Sequence, residues 1–194
     1  MKAQVLSIRK KDDKSSLVIL QALLDGERQK YIISEGTYRD IGCPLSGDFL
    51  DEYNLEILVT KDEERRCMIK ACNVLAYADN NERSLLIKLA RAGFSRQSAR
   101  ETVDECKRLG YIDEPRQAER IAIRCAEQLY GPRRIMAKLS SRGYSTSVSR
   151  QAIARLEAAG EIDFSAQKRT LLEKKLPENA LPEEKKKLLY RYGY

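Results

Sequence analysis

A helical pattern that repeats every 50 residues constrains the fold of this chain more than any other feature. Without a gap, KLARAGF at 88–94 aligns with KLSSRGY at 138–144. The same shift sets GPRRIMAKLSSRGY at 131–144 over LPEEKKKLLYRYGY at 181–194. Units that repeat at such a period pack against their neighbours in a quasi-linear array. The sequence therefore predicts a mainly α fold, in which tandem three-helix repeats form an elongated, curved array.

Start and stop signals divide each repeat into a long first helix, a short second helix and a third helix. Asn81 is a predicted N-cap of the second helix in the first repeat, and proline opens that helix in the later repeats. A glycine follows each second helix, at positions 93, 143 and 193, where left-handed backbone ends a helix. Asp113 and Asp163 are predicted N-caps of the first helices that follow.

A small mixed α/β domain is predicted at residues 1–62, ahead of the repeats. The runs KAQVLSIRKK, SSLVILQALL and RQKYIIS favour a three-stranded meander, and Asp25-Gly26 is typical of a hairpin turn. A short strand at TYRDI, residues 37–41, and an amphipathic helix within 47–59 would complete the domain. The repeats would then occupy 63–112, 113–162 and 163–194, and the last would lack its third helix.

The composition argues against an enzyme and against a bound metal or cofactor. The chain has no histidine, so the commonest general base and the Ser-His and Cys-His nucleophiles are excluded. Its five cysteines form no C-x-x-C pair, and no glycine-rich phosphate loop is present. We therefore expect no catalytic, metal-binding or cofactor-binding residues, and we expect the cysteines to be reduced and mostly buried.

Charge is distributed unevenly along the chain. Residues 1–64 hold 9 Lys and Arg against 13 Asp and Glu, whereas residues 65–194 hold 27 against 16. The basic part is expected to meet an acidic partner such as nucleic acid, an acidic protein surface, or both. No apolar run is long enough to span a bilayer, and the first residues lack a secretory signal, so we expect a cytoplasmic monomer without a membrane partner.

Two motifs inside the repeats resemble the RecX family of bacterial RecA regulators. They are GYIDEPRQAER at 110–120 and YGPRRIMAKLSSRGY at 130–144, and the resemblance covers about residues 65–194. One departure is NNERSLLIKL at 80–89, where the family usually has an Arg-Ser start and a Glu-Leu pair. The resemblance implies a protein without catalytic activity that binds RecA, chiefly as its nucleoprotein filament, in DNA recombination, repair and the SOS response. It implies inhibition of recombinase, ATPase and co-protease activity, with weak contacts to single- or double-stranded DNA.

One basic row is the strongest candidate for a binding surface. Arg134, Lys138 and Arg142 follow one another at i, i+4 and i+8, beside the apolar positions Ile135 and Leu139. Three cations in a row repel one another, which favours an external acidic partner. A solvated outer helix face remains the alternative interpretation of this row.

Basic residues of the other helices extend the predicted surface, and they also support a different function. The predicted partner-binding residues are Arg133, Arg134, Lys138, Arg142, Arg96, Arg100, Arg150 and Lys88. The alternative is a helix-turn-helix protein that acts directly on duplex DNA, because KLARAGFSRQSARETV also has the pattern of helix, glycine turn and helix. In that case Arg96, Gln97 and Arg100 would read the major groove.

Overall fold

The computed structural model of the chain describes residues 3–12 and 15–194, which form two compact units. The N-terminal unit comprises the described residues up to Ala76 together with Lys88–Glu105. The C-terminal unit comprises Tyr77–Ile87 together with Cys106–Tyr194. Lys2, the second residue of the chain and part of the first predicted strand, lies outside the described residues.

An antiparallel sheet is the centre of the N-terminal unit. Its strands are β1 (Ala3–Lys10), β2 (Leu17–Leu24), β3 (Glu27–Ser34) and β4 (Phe49–Leu50), and their order is β3-β2-β1-β4. Asp25 and Gly26 connect β2 to β3, and both have positive φ, 50° and 86°, as a tight hairpin turn requires. The predicted three-stranded meander and its turn are confirmed.

A short helix replaces the strand that was predicted at 37–41. This helix, α1 (Glu35–Asp40), begins after Ser34, whose hydroxyl accepts a hydrogen bond from the Thr37 amide at 3.0 Å. The prediction was wrong because the β-forming residues of TYRDI are outweighed by this N-cap and by an acidic residue in the first turn, both of which stabilise a helix.

One long helix, α2 (Glu52–Tyr77), covers most of the two stretches that were predicted as separate helices, within 47–59 and at 63–78. It contains no glycine or proline that would interrupt it. The predicted domain boundary after residue 62 therefore lies inside a helix, and the division into one domain and three repeats stays a prediction. Asp62 is buried in α2, where it accepts a hydrogen bond from the Ile32 amide and pairs with Arg65 and Arg66.

The predicted helix pattern is found along the rest of the chain. The helices are α3 (Glu82–Arg91), α4 (Arg96–Arg108), α5 (Glu114–Glu127), α6 (Pro132–Ser141), α7 (Thr146–Ala158), α8 (Phe164–Lys175) and α9 (Pro182–Tyr192). Asn81, Asp113 and Asp163 each accept a hydrogen bond from a backbone amide in the first turn of α3, α5 and α8. The mainly α fold with a small N-terminal α/β region is confirmed.

Within the C-terminal unit, α5, α6 and α7 share one apolar core. Ala118 and Ala122 of α5, Ile135 and Leu139 of α6, and Ile153 of α7 are all buried in it. Leu109, by contrast, lies beyond the end of α4 and is 43% exposed.

The cysteines are all free thiols, and burial divides them into two groups. Cys67, Cys106 and Cys125 are buried, whereas Cys43 and Cys72 are exposed. Among the described residues, no helix is both long and apolar enough to cross a membrane.

Candidate partner-binding surface

Hydrogen bonds between equivalent positions join successive repeats twice within the C-terminal unit, the first from a side chain and the second from the backbone. Before α3, the Asn81 side-chain amide donates a hydrogen bond to the Arg142 carbonyl at 2.8 Å. Fifty residues later, the Gly131 amide donates to the Tyr192 carbonyl at 2.7 Å. Donor and acceptor occupy equivalent positions in both cases. The start of the second helix in one repeat is therefore held by the end of the second helix in the next repeat. We call these two contacts the first and second repeat junctions.

Glycine is required at the second junction because two backbones approach closely there. A Cβ atom on Gly131 would lie 2.5 Å from the Gly193 carbonyl oxygen, and one on Gly193 would lie 2.5 Å from the Arg134 amide nitrogen. Gly193 also has φ of 90°, in the left-handed region. The Arg133 amide donates to the Gly193 carbonyl at 3.1 Å. These contacts fix the position of the first turn of α6, which carries two of the predicted binding residues.

Arg134 completes the second junction with its side chain. Its guanidinium lies 4.0 Å from the centroid of the Tyr130 ring and 5.5 Å from that of Tyr192. It also donates a hydrogen bond to the Arg191 carbonyl at 2.8 Å. Cation–π contacts of this kind stabilise the charge when it is partly desolvated. The structure therefore gives Arg134 a partner inside the protein.

Lys138 and Arg142 continue the row from Arg134 along α6, and both are exposed. All three cations influence the pKa of one buried group, the Cys125 thiol of α5. Burial raises the pKa of this thiol, and the positive charges of Arg142, Lys138 and Arg134 partly oppose the rise. The three cations therefore lie on the side of α6 that adjoins α5, and their role as a binding surface stays a prediction.

A basic cleft of about 540 Å³ extends the row beyond Arg142. Arg120 and Arg124 of α5 line it together with Arg142, and Ser84 and Ser141 contribute hydroxyl groups. Sequence analysis missed both α5 arginines. Their spacing of four residues, which puts them on one helix face, was the available signal.

An acidic partner within the chain neutralises part of this cleft. Asp79 pairs with Arg120 at 2.7 Å, whereas Arg124 and Arg142 carry no ion pair among the described residues. Tyr144 lies at the same cleft and donates a hydrogen bond to Gln117 Oε1 at 3.1 Å. Burial raises the Tyr144 pKa, the charges of Glu114 and Asp79 raise it further, and Arg142 and Arg120 oppose them. The cleft therefore holds two unneutralised cations beside a neutral phenol.

The remaining predicted residues are exposed and lie apart from this row. Arg133 places its guanidinium 5.4 Å from the centroid of the Tyr190 ring, and Arg150 lies on the outer side of α7. Arg96 and Arg100 are exposed on α4 in the N-terminal unit. Lys88 belongs to the same unit and lines a shallow pocket with Lys70 and Arg91. The structure thus groups the α6 residues together and assigns the α3 and α4 residues to the other unit.

The α6 row and the cleft are rich in cationic side chains. In the described part of the chain, no group of three or more His, Cys, Asp or Glu residues could hold a metal ion. The α6 row and the cleft present guanidinium and ammonium groups, which bind carboxylates and phosphates through charge-assisted hydrogen bonds.

Two solved structures are similar to this chain. The crystal structure of regulatory protein RecX matches with a TM-score of 0.70 and 16% sequence identity, and the match covers 99% of this chain and 94% of that one. RecX from Lactobacillus salivarius matches with a TM-score of 0.46 and 14% identity over 68% of this chain and 97% of that one. No family model matches the sequence, and no curated protein matches it significantly. The chain therefore has the fold of the first of these structures, as the resemblance of its motifs implied.

Proposed function

We propose that this chain is a RecX-type regulatory protein, which binds RecA and inhibits its recombinase, ATPase and co-protease activities. The observation that carries the proposal is the fold, which matches that of the crystallised regulatory protein RecX over 99% of the chain. The motifs GYIDEPRQAER and YGPRRIMAKLSSRGY support the same assignment. The preferred target is the RecA filament on DNA, and the protein needs no cofactor because it acts by binding.

The contacts that the basic residues make within the chain guide the choice of those that we propose to bind the filament. Arg134 is held by two tyrosine rings and a carbonyl group, so it serves the second repeat junction. Lys138 and Arg142 are exposed, and Arg124 adds a further cation beside them in the cleft. A surface of acidic side chains and DNA phosphates would attract these groups and accelerate association. We therefore assign the filament contact chiefly to Lys138, Arg142 and Arg124.

The first experiment measures single-strand-DNA-dependent ATP hydrolysis by a bacterial RecA. The protein is added first at substoichiometric amounts and then at amounts equal to RecA. We expect a dose-dependent fall in the rate that begins below one molecule per RecA. An unchanged rate, combined with sequence-dependent binding to bare duplex DNA, would instead support the helix-turn-helix alternative with Arg96, Gln97 and Arg100 as the reading residues.

A charge-reversal pair maps the contact. Lys138→Glu combined with Arg142→Glu is expected to weaken filament binding at least tenfold, which is about 1.4 kcal/mol. Arg134 is left intact so that the second repeat junction is not disturbed. The matched control is Arg28→Glu with Lys30→Glu, two exposed residues of β3, which changes net charge by the same amount. If the two double variants bind the filament equally, the α6 row does not contact the filament and is a solvated helix face.

A further inference from the structure

The first and second repeat junctions differ in the side chain that lies beside them. Arg134 stands 50 residues after Ser84, so the two residues occupy equivalent positions in α6 and α3. At the second junction, the Arg134 guanidinium lies against the Tyr130 and Tyr192 rings and donates a hydrogen bond to the Arg191 carbonyl. This long side chain therefore lies in the space between the start of α6 and the end of α9.

At the first junction, the equivalent space is the basic cleft. The counterparts of Arg191 and Tyr192 are Ser141 and Arg142, and both line the cleft together with Ser84. A serine side chain is too short to fill this space, and the cleft has a volume of about 540 Å³. Sites for small ligands in proteins typically have volumes of about 300–1000 Å³. The first junction therefore has room for a ligand where the second junction holds an arginine.

The charges that line the cleft leave an excess of two positive charges. Arg120, Arg124 and Arg142 contribute three positive charges, and Asp79, which pairs with Arg120, contributes one negative charge. Guanidinium groups bind phosphate oxygens through paired, charge-assisted hydrogen bonds. A phosphate monoester carries a charge of about −1.5 to −2 near pH 7, which matches this excess. A carboxylate or a phosphodiester group carries one negative charge and would leave part of the excess uncompensated.

The backbone at the start of α3 is already bonded within the chain. The Ser84 amide donates a hydrogen bond to Asn81 Oδ1 at 2.9 Å, and the Glu82 amide donates to Glu114 Oε1 at 3.0 Å. The end of this helix is thus occupied by side chains of the protein. Attraction of an anion to the cleft therefore rests on the three arginines.

The uncharged groups of the cleft indicate what the phosphate would be attached to. Ser84, Ser141 and Gln117 bring hydroxyl and amide groups to the lining, whereas Ile121 and Tyr144 add apolar atoms. A largely polar lining suits a sugar, whose hydroxyl groups exchange hydrogen bonds, better than it suits an acyl chain. The ligand class that fits the cleft is therefore the sugar phosphates, including nucleoside monophosphates.

We propose that the basic cleft at the first repeat junction binds a small sugar phosphate through a phosphate monoester group, which Arg124 and Arg142 hold with Arg120 beside them. The ligand occupies the place that Arg134 fills at the second junction. This inference goes beyond the proposed function and does not depend on RecA, because it follows from a comparison of two junctions within the C-terminal unit. The proposed function also assigns Arg124 and Arg142 to the filament. A bound sugar phosphate would then compete with the filament, and this consequence alone rests on the proposed function.

The probe for the cleft is ribose 5-phosphate, and isothermal titration calorimetry measures its binding to the full chain at low salt, without RecA. We expect saturable binding of one molecule per chain at millimolar concentration or below. The methyl diester of the same compound, which carries one negative charge, is expected to bind at least about fivefold more weakly. Binding of the monoester should strengthen between about pH 5 and pH 7.5, because its second ionisation has a pKa of about 6. The chain has no histidine, the side chain that ordinarily titrates in this range.

Variants of the protein locate the binding. Ser84→Met keeps the net charge and brings a side chain that approaches the length of an arginine, so it should fill the cleft and weaken binding at least about tenfold. Arg124→Gln with Arg142→Gln removes two cations and should weaken binding by at least the same factor. The matched control is Arg116→Gln with Lys175→Gln, two exposed residues outside the cleft, and binding is expected to stay within about twofold.

The inference is overturned if ribose 5-phosphate shows no saturable binding at millimolar concentration, or if the diester binds as tightly as the monoester. It is also overturned if the Ser84→Met chain, folded by circular dichroism, binds as well as the original chain. The arginine pair decides if Ser84→Met does not fold, and equal binding by that pair and its control overturns the inference. An unphosphorylated oligonucleotide that binds more tightly than the sugar phosphate, and that loses its binding in both cleft variants, would overturn it too, because the occupant would then be a nucleic-acid backbone.

Discussion

The second and last repeats have the same start and end signals but different environments for their apolar residues. Helices α6 and α9 both begin with proline and are both followed by a glycine in left-handed backbone. Leu139 of α6 is nevertheless fully buried, whereas its counterpart Leu189 is partly exposed in a groove between α8 and α9. The difference shows that local helix signals do not depend on what packs against the helix, whereas the burial of a side chain does.

The largest expected difference between the two repeats follows from this burial. Leu139→Ala should reduce the free energy of unfolding by about 3–4 kcal/mol, because it leaves a cavity in a closed core. Leu189→Ala should reduce it by about 1 kcal/mol, because the side chain is already partly in contact with water. Urea denaturation followed by circular dichroism measures both values. Equal losses would mean that Leu189 is covered in solution as fully as Leu139 is.

The two repeat junctions provide the next comparison. Gly193→Ala should cost about 3 kcal/mol, because it combines left-handed backbone with a contact to the Arg134 backbone. Gly143→Ala should cost about 1–2 kcal/mol, since its Cβ atom would meet only the Asn81 and Arg83 side chains, at 3.3 Å. The same denaturation experiment applies. A smaller loss at Gly193 than at Gly143 would contradict the close approach of the two backbones.

Signals within a few residues of one another were predictable from the sequence. The caps at Asn81, Asp113 and Asp163 are of this kind, because each side chain bonds to an amide two or three residues ahead. The strand prediction at TYRDI was wrong although the signal against it is equally local. The N-cap at Ser34 was not weighed against the β propensity of these residues. The length of α2 was missed because nothing local marks where two adjacent helical patterns join.

Contacts across repeats were not predictable, and they decide the roles of the candidate residues. Arg134 was placed in an exposed basic row, but the structure puts Tyr192, 58 residues further on, beside its guanidinium. The basic cleft was missed because it needs α3, α5 and α6 to converge. Helical periodicity gives the face on which a residue lies, whereas it does not give the element that this face meets.

Substitutions of Arg134 and of its neighbour Arg133 test the side-chain contacts of the second repeat junction. Arg134→Met should lower the free energy of unfolding by about 1–2 kcal/mol, because it removes a cation–π contact and a hydrogen bond to a carbonyl. Arg133→Met should change it by less than about 0.5 kcal/mol, because Arg133 is exposed. Thermal denaturation of both variants at equal protein concentration gives the comparison. A greater loss for the Arg133 variant would contradict the structural role of Arg134.

The smallest expected effect concerns the two tyrosines next to the turn glycines. Tyr144→Phe should cost about 1 kcal/mol, because it removes the hydrogen bond to Gln117 and leaves that amide oxygen unpaired. Tyr194→Phe should not destabilise the protein and should stabilise it by up to about 1 kcal/mol, because its buried hydroxyl has no partner among the described residues. Chemical denaturation of both variants tests this pair. A loss of similar size in Tyr194→Phe would show that its hydroxyl is bonded in solution.

The repeat junctions also give the folding of this protein an order in time. The acceptor for the Asn81 side chain lies 61 residues further along the chain, and the acceptor for the Gly131 amide lies at the same separation. At a synthesis rate of 5–20 residues per second, the ribosome needs about 3–12 s to add that length. Each second helix therefore emerges well before the carbonyl group that will hold its first turn. During translation, the first and second repeats must each wait for the repeat that follows before their second helices are held in this way.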